Sequence, residues 1–308
     1  MLSINNLEGA RALGPTAVTI GKFDGIHRGH QALIAELREA GTKHDLKTVL
    51  VTFDRHPDAL LNPSSLKWPL IGPEQKSALV AAAGVDALVT LTFDEQLAKL
   101  PAADFVTEVL VEALKAKVVI VGEDFRFGAG GAGDVALLQE LGQLFGFEVR
   151  VIASATENGI KVSTSTIREL LDKGDVAQAS QLLGRVHTTV GVIEHGLKIG
   201  RTIGFPTANM SRDAEGYLPL DGVYAGWLIA DGVRYPAAHS VGINETFQAV
   251  PRLVESHVLD RKDLDLYDKV VTLEYIDFIR PSAKFDGVEA LVEEINRDLD
   301  KIRHILGI

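Results

Sequence analysis

The 308-residue chain contains no cysteine, which excludes a disulfide scaffold, a thiolate metal site and a cysteine nucleophile together. It also lacks any apolar run near the ~18 residues that a membrane-spanning helix needs. Its first residues, Met1-Leu2-Ser3-Ile4-Asn5-Asn6-Leu7-Glu8, have neither the basic region nor the apolar core of a signal peptide. A soluble, cytoplasmic protein with no membrane partner is expected. Basic charge is scarce: 31 Lys and Arg stand against 42 Asp and Glu, a formal net charge of −11. A surface that attracts nucleic acid needs a broad basic excess, so nucleic acid is not an expected partner. Anionic ligands must instead meet local donors or a metal ion. What is present is ordinary globular usage, 46% hydrophobic and 24% charged, which excludes a disordered chain. At roughly 100–150 residues per domain the length suggests two domains, or one large one.

Residues 17 to about 153 alternate β-branched or aliphatic runs with helical stretches, the pattern of a parallel sheet covered by helices. Strands are expected at Ala17–Ile20, Thr48–Phe53, Ala87–Leu91, Val118–Val121 and Val149–Ile152. Helices are expected at Gln31–Ala40, Pro73–Ala83, Ala103–Leu114 and Asp134–Phe145. This is a doubly wound α/β domain. After short helical stretches at Ile167–Leu171 and Val176–Leu183 the pattern changes near Gly184-Arg185. From Thr188 to Phe278 short β-rich runs (Thr188–Ile193, Val223–Ile229, Ala237–Val241, Val270–Ile276) alternate with turns, which reads as a small antiparallel barrel closed by a helix, Val288–Ile305. The expected domains are 1–184 and 185–308.

The segment Ile20-Gly-Lys-Phe-Asp-Gly-Ile-His-Arg-Gly-His30 joins the first strand to the first amphipathic helix. A glycine-bearing turn opening a helix aims backbone N–H groups and the positive dipole end at an anion, and His27 and His30 add side-chain donors. An isolated H-x-x-H is more often a surface pair, but strand, Gly21, Asp24-Gly25 and H-x-G-H follow in the order a nucleotide site at a sheet's carboxyl edge requires. Zinc competes weakly, because no third ligand lies nearby. Gly128-Ala-Gly-Gly-Ala-Gly133 matches G-x-G-x-x-G, but it starts six residues past its strand with no acidic residue after the next one. It reads as a mobile loop and not as a dinucleotide fingerprint. No Walker A motif occurs, so a kinase here is not a P-loop enzyme.

The first segment resembles the signature of the H-x-G-H nucleotidyltransferases, which transfer a nucleoside monophosphate onto a phosphate. Two more segments, Val162-Ser-Thr-Ser-Thr-Ile-Arg168 and Gly122-Glu-Asp-Phe-Arg-Phe-Gly128, resemble the I-S-S-T-x-I-R and G-x-D-F-x-F-G segments of bacterial flavin adenylyltransferases, with Thr164-Ser165 in exchanged order. The resemblance implies that His27, His30 and Arg168 are catalytic. It also implies that Gly21, Phe23, Asp24, Gly25, Gly29, Ser163, Thr164 and Ser165 surround nucleotide phosphates and that Asp124, Phe125 and Phe127 meet flavin. By itself the hydroxyl run is more often a helix cap.

In the second half, Gly196-Leu-Lys-Ile-Gly-Arg-Thr-Ile-Gly-Phe-Pro-Thr-Ala-Asn209 resembles the riboflavin kinase signature G-x-x-x-G-R-x-x-G-F-P-T-A-N. Val254-Glu-Ser-His-Val-Leu-Asp260 resembles that family's V-E-T-H-x-L-D. The resemblance implies a phosphate loop at Gly196, Lys198, Gly200, Arg201 and Gly204, magnesium ligands Thr207 and Asn209, and Glu255 as catalytic base. Ser240–Phe247 departs from the family's S-V-G-x-N-P-T-F at Glu245, and Leu266-Tyr-Asp268 departs from L-Y-G. Both signatures, in this order, are those of the bifunctional bacterial riboflavin kinase and FMN adenylyltransferases, also called FAD synthetases. The expectation is phosphorylation of riboflavin by Mg2+ and ATP, then adenylylation of FMN to FAD, with riboflavin, FMN and ATP as partners. A homo-oligomer is compatible with the reading. A flavoprotein oxidoreductase, a single-function nucleotidyltransferase and a flavin sensor without turnover are the competing readings.

Overall fold

The computed structural model describes residues 1–62, 64, 68–195, 200, 203–242, 252–261 and 263–308. Packing divides the chain into two compact units, Met1–Pro69 with Pro73–Val162, and Leu70–Gly72 with Ser163–Ile308.

The first unit is built on a parallel sheet of β1 (Leu2–Ile4), β2 (Thr16–Ile20), β3 (Lys47–Phe53), β4 (Ala87–Leu91), β5 (Ala116–Gly122) and β6 (Glu148–Ile152). The spatial order is β1-β4-β3-β2-β5-β6, and every pairing is parallel. All five residues of β2 are buried, as a strand covered on both faces must be. From β2 the chain winds one way to β3 and β4 and later the other way to β5 and β6. The carboxyl end of β2 is therefore the topological switch point, where such sheets bind ligands. Helix α2 (Arg28–His44), which follows the short α1 (Leu7–Ala10), starts there. The expected strands and helices are present, with ends shifted by a few residues. β1 was not legible because three residues, two of them exposed, carry no period, and its pairing with the edge of β4 specifies it. Within the expected helix 103–114, residues Val106–Ala113 are wound as a π-helix.

The glycine run is not the mobile loop expected from its composition. Phe127 and Gly133 exchange backbone hydrogen bonds of 3.1 and 2.9 Å, and the Ala129 N–H donates to the Leu100 carbonyl (2.8 Å). A Cβ on Gly133 would lie 2.8 Å from the Phe127 ring, so the glycine is there for close approach.

After β6 a short antiparallel pair, β7 (Thr156–Glu157) and β8 (Ile160–Lys161), ends the first unit. In the second unit six strands close into an antiparallel barrel: β9 (His187–Glu194), β10 (Ala208–Met210), β11 (Gly222–Ala230), β12 (Val233–Gly242), β13 (Leu253–Val258) and β14 (Val270–Pro281). The last helix, Val288–Leu306, lays Leu299 and Ile302 against Ala225 and Leu259, with Phe205 packed on the same cluster. Two helices before the barrel, Thr164–Asp172 and Val176–Leu183, belong to this unit, and the second packs on β9 and β14. The interior is filled by side chains, including Tyr224, Tyr275, His187 and His239. His187 Nε2 donates to the Tyr217 carbonyl (2.7 Å) and His239 Nε2 to the Glu274 carbonyl (3.1 Å), while His239 Nδ1 bonds the Ser256 hydroxyl (2.8 Å).

Burial is the main reason that both rings are held neutral, their pKa values falling from 6.5 to about 4. An unfolded histidine takes up its proton below ~6.5, so the stabilisation is complete above that pH and is lost as the pH falls toward 4. At pH 5 the loss is about 2 kcal/mol per histidine. The melting temperature of the barrel unit should therefore fall by roughly 10 °C between pH 7 and pH 5. Calorimetry at the two values checks this, and equal midpoints would contradict neutral, buried rings.

Candidate active sites

In the first unit the turn after β2 is buried and conformationally unusual. The Gly21 N–H donates to the Val51 carbonyl (3.1 Å), and Phe23 (φ 47°), Gly25 (φ 83°) and Ile26 (φ 41°) all have left-handed backbones. Positive φ at a bulky and a β-branched residue costs of order 1–3 kcal/mol each and persists only where surrounding contacts dictate it. Here Phe23 and Ile26 are both buried, and Gln31 Nε2 donates to the Ile26 carbonyl (2.9 Å). The result aims two imidazoles at the sheet edge.

His27 caps α2: its Nδ1 accepts the His30 N–H (3.4 Å), so in the neutral ring the proton sits on Nε2, which is then the donor nitrogen. The two rings stack with centroids 3.7 Å apart, and Phe23 lies 4.9 Å from His30. Gly29 admits this stack, since a Cβ there would lie 3.2 Å from the His27 ring. His30 Nδ1 is buried without a hydrogen-bond partner. Burial, then the charges of His27 and Lys76, hold the His30 pKa well below 6.5. Such a pair can donate hydrogen bonds to phosphate oxygens at the helix N-terminus, and the donor set holds no cluster of three metal-ligating side chains among the described residues.

The structure adds Lys76, which sequence reasoning missed because one lysine in a helix carries no signal. It rises from the first turn of α4 (Pro73–Ala82), which follows the short α3 (Asp58–Leu61). Its Nζ donates to the Lys22 carbonyl (3.0 Å) and the Thr52 hydroxyl (3.3 Å) at the ends of β2 and β3. Burial lowers its pKa and the nearby Asp24 carboxylate opposes that shift.

The expected flavin residues divide. Phe127 is buried in the core against Phe105 at 5.9 Å and Phe125 at 5.5 Å. Phe125 is partly buried, and Asp124 is exposed, 3.7 Å from Lys161. In the second unit Ser163 is the helix cap: its Oγ accepts the Thr166 N–H (3.1 Å) and lies 2.8 Å from the Thr166 hydroxyl. Thr164 and Ser165 open the helix, with Ser165 exposed. Arg168 is buried, its guanidinium 5.8 Å from the centre of the Tyr217 ring.

The barrel brings together the second set. Asn209 on β10 stands directly opposite Glu255 on β13, and the Thr207 hydroxyl donates to Glu255 Oε2 (3.2 Å). Along β13 Val254, Ser256 and Val258 are buried while Glu255 and His257 are not. Glu255, and with it Asn209, therefore faces outward from a filled barrel. His257 Nδ1 donates to the Pro206 carbonyl (2.8 Å), which fixes the segment carrying Thr207. Gly204 has φ 94°, and a Cβ on Gly200 would lie 2.3 Å from the Phe205 carbonyl, so both glycines serve the turn. Gly196, Lys198, Arg201 and Glu245 lie outside the described residues. Asp268 has φ 60°, the conformation a glycine there would favour and one that Asp tolerates. The oxygen donors of Thr207, Asn209 and Glu255 suit a hard cation such as Mg2+.

Two family models match the chain in order, one described as FAD synthetase over residues 10–166 and one as riboflavin kinase over residues 183–306. A bifunctional riboflavin kinase/FMN adenylyltransferase of Escherichia coli (strain K12) is 35% identical over 306 residues, 99% of this chain and 97% of that protein. One from Listeria monocytogenes is 34% identical over 283 residues, 91% and 89% of the two chains. A crystal structure described as a macrolide-efflux protein from Streptococcus pneumoniae has a TM-score of 0.88 at 31% identity, covering 98% of this chain and 99% of that one. Among the described residues no helix is long and apolar enough to cross a membrane. With both family models in sequence and relatives aligned across nearly its whole length, the chain belongs to the bifunctional riboflavin kinase/FMN adenylyltransferase family.

Proposed function

We propose that the second unit phosphorylates riboflavin to FMN with ATP and that the first joins FMN to AMP from a second ATP, giving FAD and pyrophosphate. The observation that carries the reading is the Thr207–Glu255 contact at 3.2 Å with Asn209 opposite. It unites residues 48 and 46 positions apart in sequence into one oxygen-rich cluster. Glu255 accepts the proton of the riboflavin hydroxyl, which an alcohol keeps at neutral pH. Thr207 and Asn209 would hold Mg2+, which supplies charge neutralisation for the triphosphate when bound. In the other reaction the attacking FMN phosphate is already ionised. His27 and His30 therefore act by donating hydrogen bonds to the reacting phosphates. The Gly21–Gly29 turn serves as a phosphate contact, while Asp124 and Phe125 meet the flavin and Phe127 backs them. Cytoplasm is the proposed location. Incubation with riboflavin, ATP and Mg2+, followed by chromatographic separation of riboflavin, FMN and FAD, tests the whole reading; no FMN and no FAD would refute it.

The functional boundary is proposed at 184/185, in keeping with the riboflavin kinase match over residues 183–306. A fragment of residues 185–308 should phosphorylate riboflavin. The fragment lacks Leu171, Val176, Ala179, Leu182 and Leu183, all buried in the unit. It should consequently melt below a fragment of residues 163–308. A folded, inactive 185–308 fragment beside an active 163–308 fragment would move the boundary to the packing division.

A further inference from the structure

We propose that Lys76 is a catalytic residue of adenylyl transfer, its ammonium contacting phosphate oxygens of the reacting groups at the carboxyl edge of the sheet. The inference rests on the reading of the first unit as the FMN adenylyltransferase. Three observations lead to it. The Lys76 Nζ reaches the ends of β2 and β3, where it donates to the Lys22 carbonyl and the Thr52 hydroxyl. Both are uncharged oxygens, so two of the three ammonium donors are used to aim the group and neither bond neutralises it. The groups that feel its charge are those of the histidine turn: it repels a proton from His30 and is attracted by Asp24. The stacked His27 and His30 rings sit at that same edge, where His30 Nδ1 is buried without a partner.

A neutral imidazole supplies a hydrogen bond but no net charge, whereas the reaction concentrates negative charge. An FMN phosphate oxygen attacks the α-phosphorus of ATP and forms a new P–O bond. The bond to the bridging oxygen of the β-phosphate breaks, and its electron pair leaves with pyrophosphate. No proton need move. An ammonium fixed beside the imidazoles offsets that charge without reorganising.

The test uses the full-length protein and three variants, Lys76→Met, Lys76→Gln and Lys76→Arg, assayed in both directions: FMN with ATP, and FAD with pyrophosphate. Methionine keeps the apolar stem. For Met and Gln, kcat/KM for FAD formation should fall about 100-fold, with melting temperature and riboflavin phosphorylation near wild type, and Arg should restore part of the loss. A raised KM for pyrophosphate in the reverse direction assigns the contact to the leaving group, and a raised KM for FMN in the forward direction assigns it to the attacking phosphate. Met and Gln variants within two-fold of wild type in both directions would overturn the proposal. So would a loss that appears equally in riboflavin phosphorylation or that tracks melting temperature, since it would make Lys76 a mere tie between Lys22 and Thr52. Wild-type protein that forms no FAD would instead defeat the reading of the unit, a different result from active wild type with indifferent variants.

Discussion

Replacing Glu255 by Gln should lower conversion of riboflavin to FMN by ~100-fold or more while conversion of supplied FMN to FAD stays near normal. The geometry makes this a clean substitution. Glu255 accepts a hydrogen bond from the Thr207 hydroxyl at 3.2 Å, and a glutamine offers the same carbonyl acceptor in the same shape. Because the side chain faces outward from β13, no barrel contact is lost. What disappears is the ability to take a proton from the riboflavin hydroxyl. Steady-state assays of each half-reaction, with the melting temperature as a control for folding, measure the effect. Full phosphorylation by the variant would remove Glu255 from the chemistry. Glu274 on β14 is the next candidate, although it is already bound to Arg234 at 2.7 Å.

Changing His27 or His30 to Ala should have the opposite selectivity. FAD formation from supplied FMN is expected to fall by roughly 100-fold or more, the size of effect when a transition-state donor is lost. Phosphorylation of riboflavin should survive. The two variants need not behave alike, because His27 also caps α2 through its Nδ1. Losing the cap costs about 1 kcal/mol in addition, so His27→Ala should melt lower, whereas His30 has no capping role. Equal damage to both half-reactions would signal misfolding. Zinc found in the purified protein by elemental analysis would make the histidines metal ligands instead.

Much of this was legible in the sequence for a physical reason. Strands such as Ala87–Leu91 are buried on both faces and therefore read as continuous aliphatic runs. The histidine turn showed itself because Gly21, Asp24-Gly25 and H-x-G-H follow a strand in the order that a nucleotide site requires. β1 and β10, of three residues each, were missed because their pairing partners define them. Lys76 was missed for a related reason: its meaning lies in the 54 positions that separate it from Lys22 and the 24 that separate it from Thr52. The glycine run misled in the other direction. Composition suggested motion, yet Gly133 is small so that the Phe127 ring can lie against it.

The outward placement of Glu255 and Asn209 on a filled barrel divides the labour of a single strand. Val254, Ser256 and Val258 are buried, whereas Glu255 and His257 face outward. On the proposed chemistry, heat tolerance and reaction rate are thus written on alternate letters of the same six residues. A protein engineer could recompose one set while leaving the other untouched, provided that the pairing of β13 with β10 never slips by one, for a slip would exchange the two sets at a stroke.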